Sequence, residues 1–436
     1  MPALLSKLFK NAACLLIMNL GTLAALFAFS VLLARTLGRE ALGLYTLFTA
    51  MLMPFSYAVD LGQSTSLVQE MGRAPAAGNR ILKNTLLLKI LLGLAATAGL
   101  LLFSFFYFQK TEERSLFLIF GLLLLPRGLG ATFEAAFRSR QKMAFPMWAT
   151  VGHGALLVFT SWGLLRAGHA LPTIIGLLVL LEIARMISLW LRYRREEGFS
   201  LLAAGPGFDR TIARESFATA LPFFVTGLLG ILHYRLDVML LAALRGHAEV
   251  GVFGAAGSFV KVLRVAPSVI VASFFPAIAG MPKNSAQLRT LAAKTLRVQL
   301  ALSLSLAVSI FLLADWLIAK TYDFPGTATI LRVQVWSIIP LALYSTLVYV
   351  FFQAGKPAWN MGIMAAAVAC NAVLNYLLMP RWGALGAAIS SVASESLCCV
   401  LYFGCYFALQ RSTLPESAVV DRAAGRVNSS APCDTE

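Results

Sequence analysis

Runs of about 20 apolar residues, separated by short charged connectors, recur from Ala12 to Leu409. A helix of that length crosses the roughly 30 Å hydrocarbon core of a bilayer, and no other feature of the sequence constrains its fold as strongly. The runs predict spans near 12–34, 41–60, 85–108, 115–132, 146–165 and 172–191, then 217–243, 250–279, 296–319, 329–352, 358–379 and 383–409. Composition agrees, with 59% hydrophobic and 13% charged residues against about 45–50% and 25% in a soluble domain. The expected fold is all-α and integral to the membrane, with about twelve transmembrane helices and no room for a separate soluble domain.

The net charge of +16 would suggest nucleic acid as a partner in a soluble chain, but here the basic residues sit in connectors. With a cytoplasmic N-terminus, the inside connectors and tails, with Arg297 at the inner end of the ninth span, hold 21 Lys or Arg and the outside ones 8. That asymmetry places both termini in the cytoplasm, with membrane lipids and not nucleic acid as the surroundings. The first apolar run, Ala12 to Leu33, exceeds a signal-peptide core and reads as an uncleaved span. The cysteines form no C-x-x-C pair, and five of the six lie inside apolar runs, as small packing residues do.

The longest connector, Arg192 to Glu215, carries both charge signs and a Gly205-Pro206-Gly207 breaker, and it divides the spans six and six. The predicted organisation is an N-terminal six-helix bundle (1–195), a cytoplasmic linker (196–215), a C-terminal six-helix bundle (216–410) and a disordered cytoplasmic tail (411–436). A repeat supports the division. Leu33-Ala34, Gly38 and Leu42-Gly43-Leu44-Tyr45 match Leu241-Ala242, Gly246 and Val250-Gly251-Val252-Phe253 at a constant offset of 208. Six spans per half give both halves the same orientation, so the bundles should be related by a pseudo-twofold along the membrane normal, with substrate at their interface.

Several of these residues carry a family resemblance. Leu33 to Tyr45, followed by Asp60-Leu61-Gly62, Ser64 and Glu70, resembles the first hairpin of the polysaccharide-transporter branch of the multidrug/oligosaccharidyl-lipid/polysaccharide (MOP) exporter superfamily, whose familiar members are Wzx-type O-antigen flippases. Asn371, Asn375 and the stretch Pro380 to Ala388 are similar to a helix-turn-helix near that branch's C-terminus, and Gln353 to Lys356 and Arg235-Leu236-Asp237 add to the likeness. The resemblance implies a two-bundle exporter that flips an undecaprenyl-pyrophosphate-linked oligosaccharide outward, with a polysaccharide polymerase or chain-length regulator as a candidate partner.

Charges inside spans are expensive, at about 2.5–3.5 kcal/mol each on insertion scales, and so mark cavities or partners. Lys261 and Arg264 fall roughly 16–21 Å into the eighth span, at 1.5 Å per residue, three residues apart and on one face. They are the primary candidates for binding a pyrophosphate, with Arg235 or Arg127 assisting; Arg127 follows Pro126 in a span expected to kink there. The competing reading is that Lys261 and Arg264 pair with carboxylates on adjacent helices. Lys89, Arg185 and Arg332 are expected to snorkel, and Glu182 is spaced to pair with Arg185. Glu395 is expected to serve as an intramembrane partner.

His233 and Asp237 share a face of the seventh span and are candidates for proton or sodium coupling, whereas Arg235 and Asp237 point opposite ways, so that only one is expected to face a shared cavity. At offset 208 the counterparts of Arg235, Lys261 and Arg264 are Phe27, Met53 and Ser56, so the cationic centre should be asymmetric. No cofactor is expected. An enzyme is disfavoured because the external loops are short and the four histidines scattered. A multidrug or organic-cation exporter of the same superfamily is the main alternative.

Overall fold

The computed structural model describes the chain from Pro2 to Arg411, apart from residues 201–209, 280 and 282–284. The described residues are almost entirely helical: α1 (Pro2–Asp60), α2 (Gln63–Arg73), α3 (Gly78–Tyr107), α4 (Thr111–Gly121), α5 (Leu124–Ser139), α6 (Ala144–Arg166), α7 (Leu171–Glu197), α8 (Arg210–Arg245), α9 (His247–Leu263), α10 (Val265–Ala279), α11 (Ala286–Lys320), α12 (Thr327–Gln334), α13 (Ile338–Gln353) and α14 (Pro357–Arg411). The Gly205-Pro206-Gly207 breaker and the tail beyond Arg411 lie outside the described residues.

Ten helical stretches are long and apolar enough to cross a membrane. Two of them, in α1 and α14, are double-length and turn at a glycine: Gly38 (φ 81°, ψ −175°) and Gly383 (φ 53°, ψ −130°). A side chain at such positive φ is strained, so glycine supplies a corner without a loop. Counting each half of α1 and α14 separately gives twelve spans at the expected positions. Other spans are interrupted by proline, which lacks an N–H and crowds the carbonyl four residues before it. Pro126 accounts for the break between α4 and α5, Pro267 for that between α9 and α10 at Arg264, and Pro340 for the 3-10 turn Val335–Ser337 between α12 and α13. One short element, α2, is absent from the expected spans; its Leu67 and Met71 tuck into the first half's core.

The repeat is a structural one. Gly246, counterpart of Gly38, has the same conformation (φ 85°, ψ 178°). A Cβ on Gly43 would strike the His247 carbonyl, and one on Gly251 would strike the Arg39 carbonyl. Arg39 and His247 are themselves counterparts at offset 208, so the contact is reciprocal, as a twofold requires. A Cβ on Gly254 would likewise strike Thr46, its own counterpart. The pseudo-twofold therefore passes between α1 and α9.

The two ends of the molecule differ. At the end carrying Gly38 and Gly246, one apolar core runs through both halves, from Phe29 to Ala388. Polar contacts reinforce it across the halves: His247 pairs with Glu113 at 3.1 Å, Arg35 donates to the carbonyls of Thr321 and Lys320 at 2.5 and 2.7 Å, and Tyr107 donates to the Met239 carbonyl at 2.8 Å. At the opposite end each half keeps its own core, one around Met71, Phe137 and Tyr193 and the other around Phe274, Phe351 and Tyr402. A stacked Tyr57–Phe224 pair bridges them there.

Candidate functional site

A cavity lies between the halves, lined by α1, α8, α9, the break at Arg264, the turn after α12, and the second span of α14. Its cations are Arg235 on α8, Lys261 on α9 and Arg264 at the proline-induced break, and its carboxylates are Asp237 and Glu395.

The charges are not matched one to one. Glu395, 4% exposed, pairs with Arg264 at 3.3 Å. This contact is incomplete, because among the described residues Arg264 Nε and the second Glu395 oxygen make no hydrogen bond. Asp237 is held by neutral groups instead: Asn375 donates to it at 2.6 Å, and the Ser391 hydroxyl donates to its other oxygen. His233 meets Ser394 at 3.0 Å, Asn371 donates to Ser394 at 3.2 Å, and Asn375 donates to Asn371 at 2.9 Å. His233 and Asp237 thus belong to one buried network that crosses from α8 to both spans of α14. Among the described residues neither Lys261 nor Arg235 has a carboxylate at ion-pair distance. Arg235 instead points its Nε at the Met53 sulfur, 3.2 Å away, and the ionisable groups around Lys261 are Tyr234, Arg235 and Arg264.

The structure thus brings together Lys261, Arg264 and Arg235, with Asp237 and His233 beside them, and leaves Arg127 out. Arg127 lies 3.7 Å from Glu182 inside the first half, where Glu182 also pairs with Arg185 at 2.5 Å and Arg185 with Glu134. Pro126 does break the span, but the guanidinium beyond the break meets a carboxylate and not the central cavity. The spacing-based expectation for Arg235 and Asp237 also needs correction. They do point opposite ways on an unbroken helix, but the cavity wraps around α8, so both line it, one towards α1 and the other towards α14.

Snorkelling fails for two of three basic residues. The Lys89 side chain is 0% exposed and pairs with Asp60 at 2.6 Å, with Ser64 accepting a second bond at 2.9 Å. Arg185 is neutralised by Glu134 and Glu182. Arg332, near an end of its span, pairs with Asp315. Lys89 finds Asp60 and Arg185 finds Glu134 because the helices bearing those carboxylates pack beside them, a proximity that spacing along one helix cannot reveal; Glu182, on Arg185's own helix, is the partner that spacing did indicate.

Three cavity residues carried no signal strong enough to be singled out from sequence. Tyr234 lies under both guanidiniums, 4.5 Å from Arg235 and 4.4 Å from Arg264 measured to the ring centroid. Gln334 and Ser337 flank the turn between α12 and α13, where Pro340 was the available clue. Late in the chain, Gly386 lets the second span of α14 pass close to the Leu378 carbonyl, and Glu249 accepts from the Ala384 N–H at 2.7 Å just after the Gly383 corner.

With this geometry in place, the comparisons with known proteins are consistent with one another. Solved structures share the fold along nearly the whole chain. An inward-facing multidrug resistance MATE family transporter of the MOP superfamily superposes with a TM-score of 0.75 at 15% identity, covering 90% of this chain and 96% of that one. The lipid II flippase MurJ in an inward closed conformation gives 0.72 at 14% identity, covering 94% and 88%. The Vibrio cholerae MATE transporter VcmN gives 0.65 at 14%, covering 94% and 97%. No individually curated protein matches the sequence. The polysaccharide biosynthesis protein family matches residues 8–281, more than half of the chain. The protein is therefore a multi-pass membrane protein of the polysaccharide biosynthesis protein family.

Proposed function

We propose that this transporter flips a lipid-linked oligosaccharide, an O-antigen or other surface polysaccharide unit on undecaprenyl pyrophosphate, by alternating access of its two halves. The observation that carries the reading is the charge imbalance of the inter-half cavity: Arg235 and Lys261 have no carboxylate at ion-pair distance among the described residues, and Arg264 has half of one. Uncompensated cations at that depth are unfavourable unless a ligand completes them. A diphosphate supplies several negative oxygens, which suit two planar guanidinium forks and one ammonium point charge. The sugar then occupies the aqueous cavity while the polyprenyl tail stays in lipid.

With the termini in the cytoplasm of a bacterial inner membrane, the fused core lies on the outer side and the separated cores on the inner side, a state suited to loading from within. Proton or sodium coupling is assigned to the network around Asp237 and His233. Its amide and hydroxyl oxygens, with one carboxylate, are hard ligands of the kind alkali cations take, and the same carboxylate can carry a proton.

A Lys261→Ala/Arg264→Ala double variant should abolish surface glycan while its membrane level stays normal, with lipid-linked sugar accumulating on the inner leaflet. Normal glycan display in that variant would refute the reading. Export of organic cations is the alternative, supported by Asp237 and Glu395 in the cavity. It predicts instead that the same variant still expels a cationic dye from cells, and that Glu395→Gln abolishes that expulsion. For coupling, transport by Asp237→Asn across imposed proton and sodium gradients should lose its gradient response; an unchanged response removes Asp237 from that role.

A further inference from the structure

Two guanidiniums stack on one phenol ring in the middle of the cavity. The Arg235 and Arg264 guanidinium carbons are both within 4.5 Å of the Tyr234 centroid, so the two like charges are held no more than about 9 Å apart. They come from different elements, α8 and the break after α9, and among the described residues no carboxylate sits at ion-pair distance from both. An arginine over an aromatic face is attracted by the ring's negative face, more strongly when desolvated, and a face contact of this kind does not use the N–H donors at the guanidinium edge. A carboxylate bridging the same two arginines would consume those donors and compete with an incoming anion. The ring therefore gathers the charge without using the forks itself; of their donors, one Arg264 amine meets Glu395 and Arg235 Nε meets the Met53 sulfur.

We infer that Tyr234 is a positioning residue that sets the selectivity of this site for a diphosphate over a monophosphate, by holding the Arg235 and Arg264 forks at a separation that one diphosphate bridges. Each fork reaches one phosphoryl group through hydrogen bonds of about 2.8 Å, and Lys261 adds a third positive charge. A monophosphate fills one fork and leaves the other unmatched. The inference rests on the reading of the cavity as a pyrophosphate site and adds the element that aligns its two halves. The Tyr234 hydroxyl has no part in it, because the contact is made through the ring face.

The test uses the full-length protein in lipid nanodiscs, with farnesyl diphosphate, farnesyl monophosphate and inorganic pyrophosphate as probes. The wild type should prefer the prenyl diphosphate over the monophosphate by at least tenfold. Tyr234→Phe should keep that preference within twofold. Tyr234→Leu should bind the diphosphate about tenfold more weakly, with monophosphate affinity nearly unchanged. Incorporation of phenylalanines of increasing ring fluorination at 234 keeps the side-chain shape and drains the ring face of electron density. Diphosphate affinity should then fall stepwise with fluorine count, a trend that loss of packing alone does not produce.

A flat fluorination series, an undiminished preference in Tyr234→Leu, or a Tyr234→Phe variant as weak as Tyr234→Leu would each overturn the assignment. A parallel loss of inorganic pyrophosphate affinity in Tyr234→Leu supports it, because it locates the effect at the headgroup. A loss confined to the prenyl compound overturns it by assigning the ring to the tail. A wild type without preference between the two prenyl phosphates counts instead against the pyrophosphate site itself.

Discussion

The two halves contain similar intramembrane charges and treat them in opposite ways. In the first half Arg127 and Arg185 share Glu182, Arg185 also meets Glu134, and Lys89 is closed off by Asp60. In the second half Arg235 and Lys261 face a cavity with no carboxylate at ion-pair distance among the described residues, and Arg264 holds an incomplete contact with Glu395. The first arrangement is a set of struts, while the second is an electrostatic deficit that a ligand can fill. Whether a buried charge is structural or functional is therefore decided by what the neighbouring helix offers it, not by its depth or residue type.

The comparison is most exposed to removal of a strut. Glu182→Ala strands the Arg127 guanidinium, leaves Arg185 with Glu134 alone and removes the carboxylate beside His153, and breaking such a buried network costs about 3–5 kcal/mol. Its thermal midpoint in detergent should drop sharply and its membrane level should fall. A full-level, wild-type-stable Glu182→Ala protein would erase the distinction between the halves.

Next in size is the contact between the halves themselves. Gly43→Ala and Gly251→Ala place a methyl against the carbonyls of His247 and Arg39, and overpacking of this kind costs about 1–3 kcal/mol. Because backbone is struck on both sides, the halves should separate at that end, making a cysteine placed at Thr46 more reactive to a membrane-impermeant thiol reagent. Unchanged labelling in both variants would show that this contact yields without opening.

Smaller again is the cap on the last span. Glu249→Ala removes the acceptor for the Ala384 N–H, a change of about 1 kcal/mol, visible as faster hydrogen exchange after the Gly383 corner. At the membrane surface, hydrogen bonding to Glu197 raises the Lys142 pKa, with Glu196 adding to the effect. The stabilisation is present at neutral pH and fades only as pH rises through that elevated value. Since Lys142 is half-exposed, Lys142→Gln should change stability by less than about 1 kcal/mol.

The smallest stability effect is expected where the functional effect is largest. Lys261→Gln removes a charge without a carboxylate partner, so its thermal midpoint should match or exceed that of the wild type while surface glycan disappears. Destabilisation by several degrees would make Lys261 a strut like Lys89.

How far the sequence could be read follows the same division. Apolar length placed all twelve spans, because a bilayer demands about 20 residues of any helix regardless of its neighbours. The offset of 208 located the pseudo-twofold, since Gly38 and Gly246 need positive φ and Gly43 and Gly251 need closeness that only glycine allows. Spacing along one helix correctly paired Glu182 with Arg185 and put Lys261 and Arg264 on one face. It misjudged Lys89 and Arg127, whose partners come from other spans, and it passed over Tyr234, whose position beside Arg235 implies nothing about Arg264 on a different element.

The sequence alone determined the solvent, the number of crossings, the symmetry of the halves and the asymmetry of their mid-membrane charge, all of which depend on single residues or on one helix at a time. Only the tertiary structure decided which charges are neutralised, that the cavity wraps around α8 to expose both Arg235 and Asp237, and that one aromatic ring gathers two arginines. Those outcomes depend on distances between helices, and in a low-dielectric interior a few ångströms separate a closed ion pair from a charge that must find its counter-ion in a ligand.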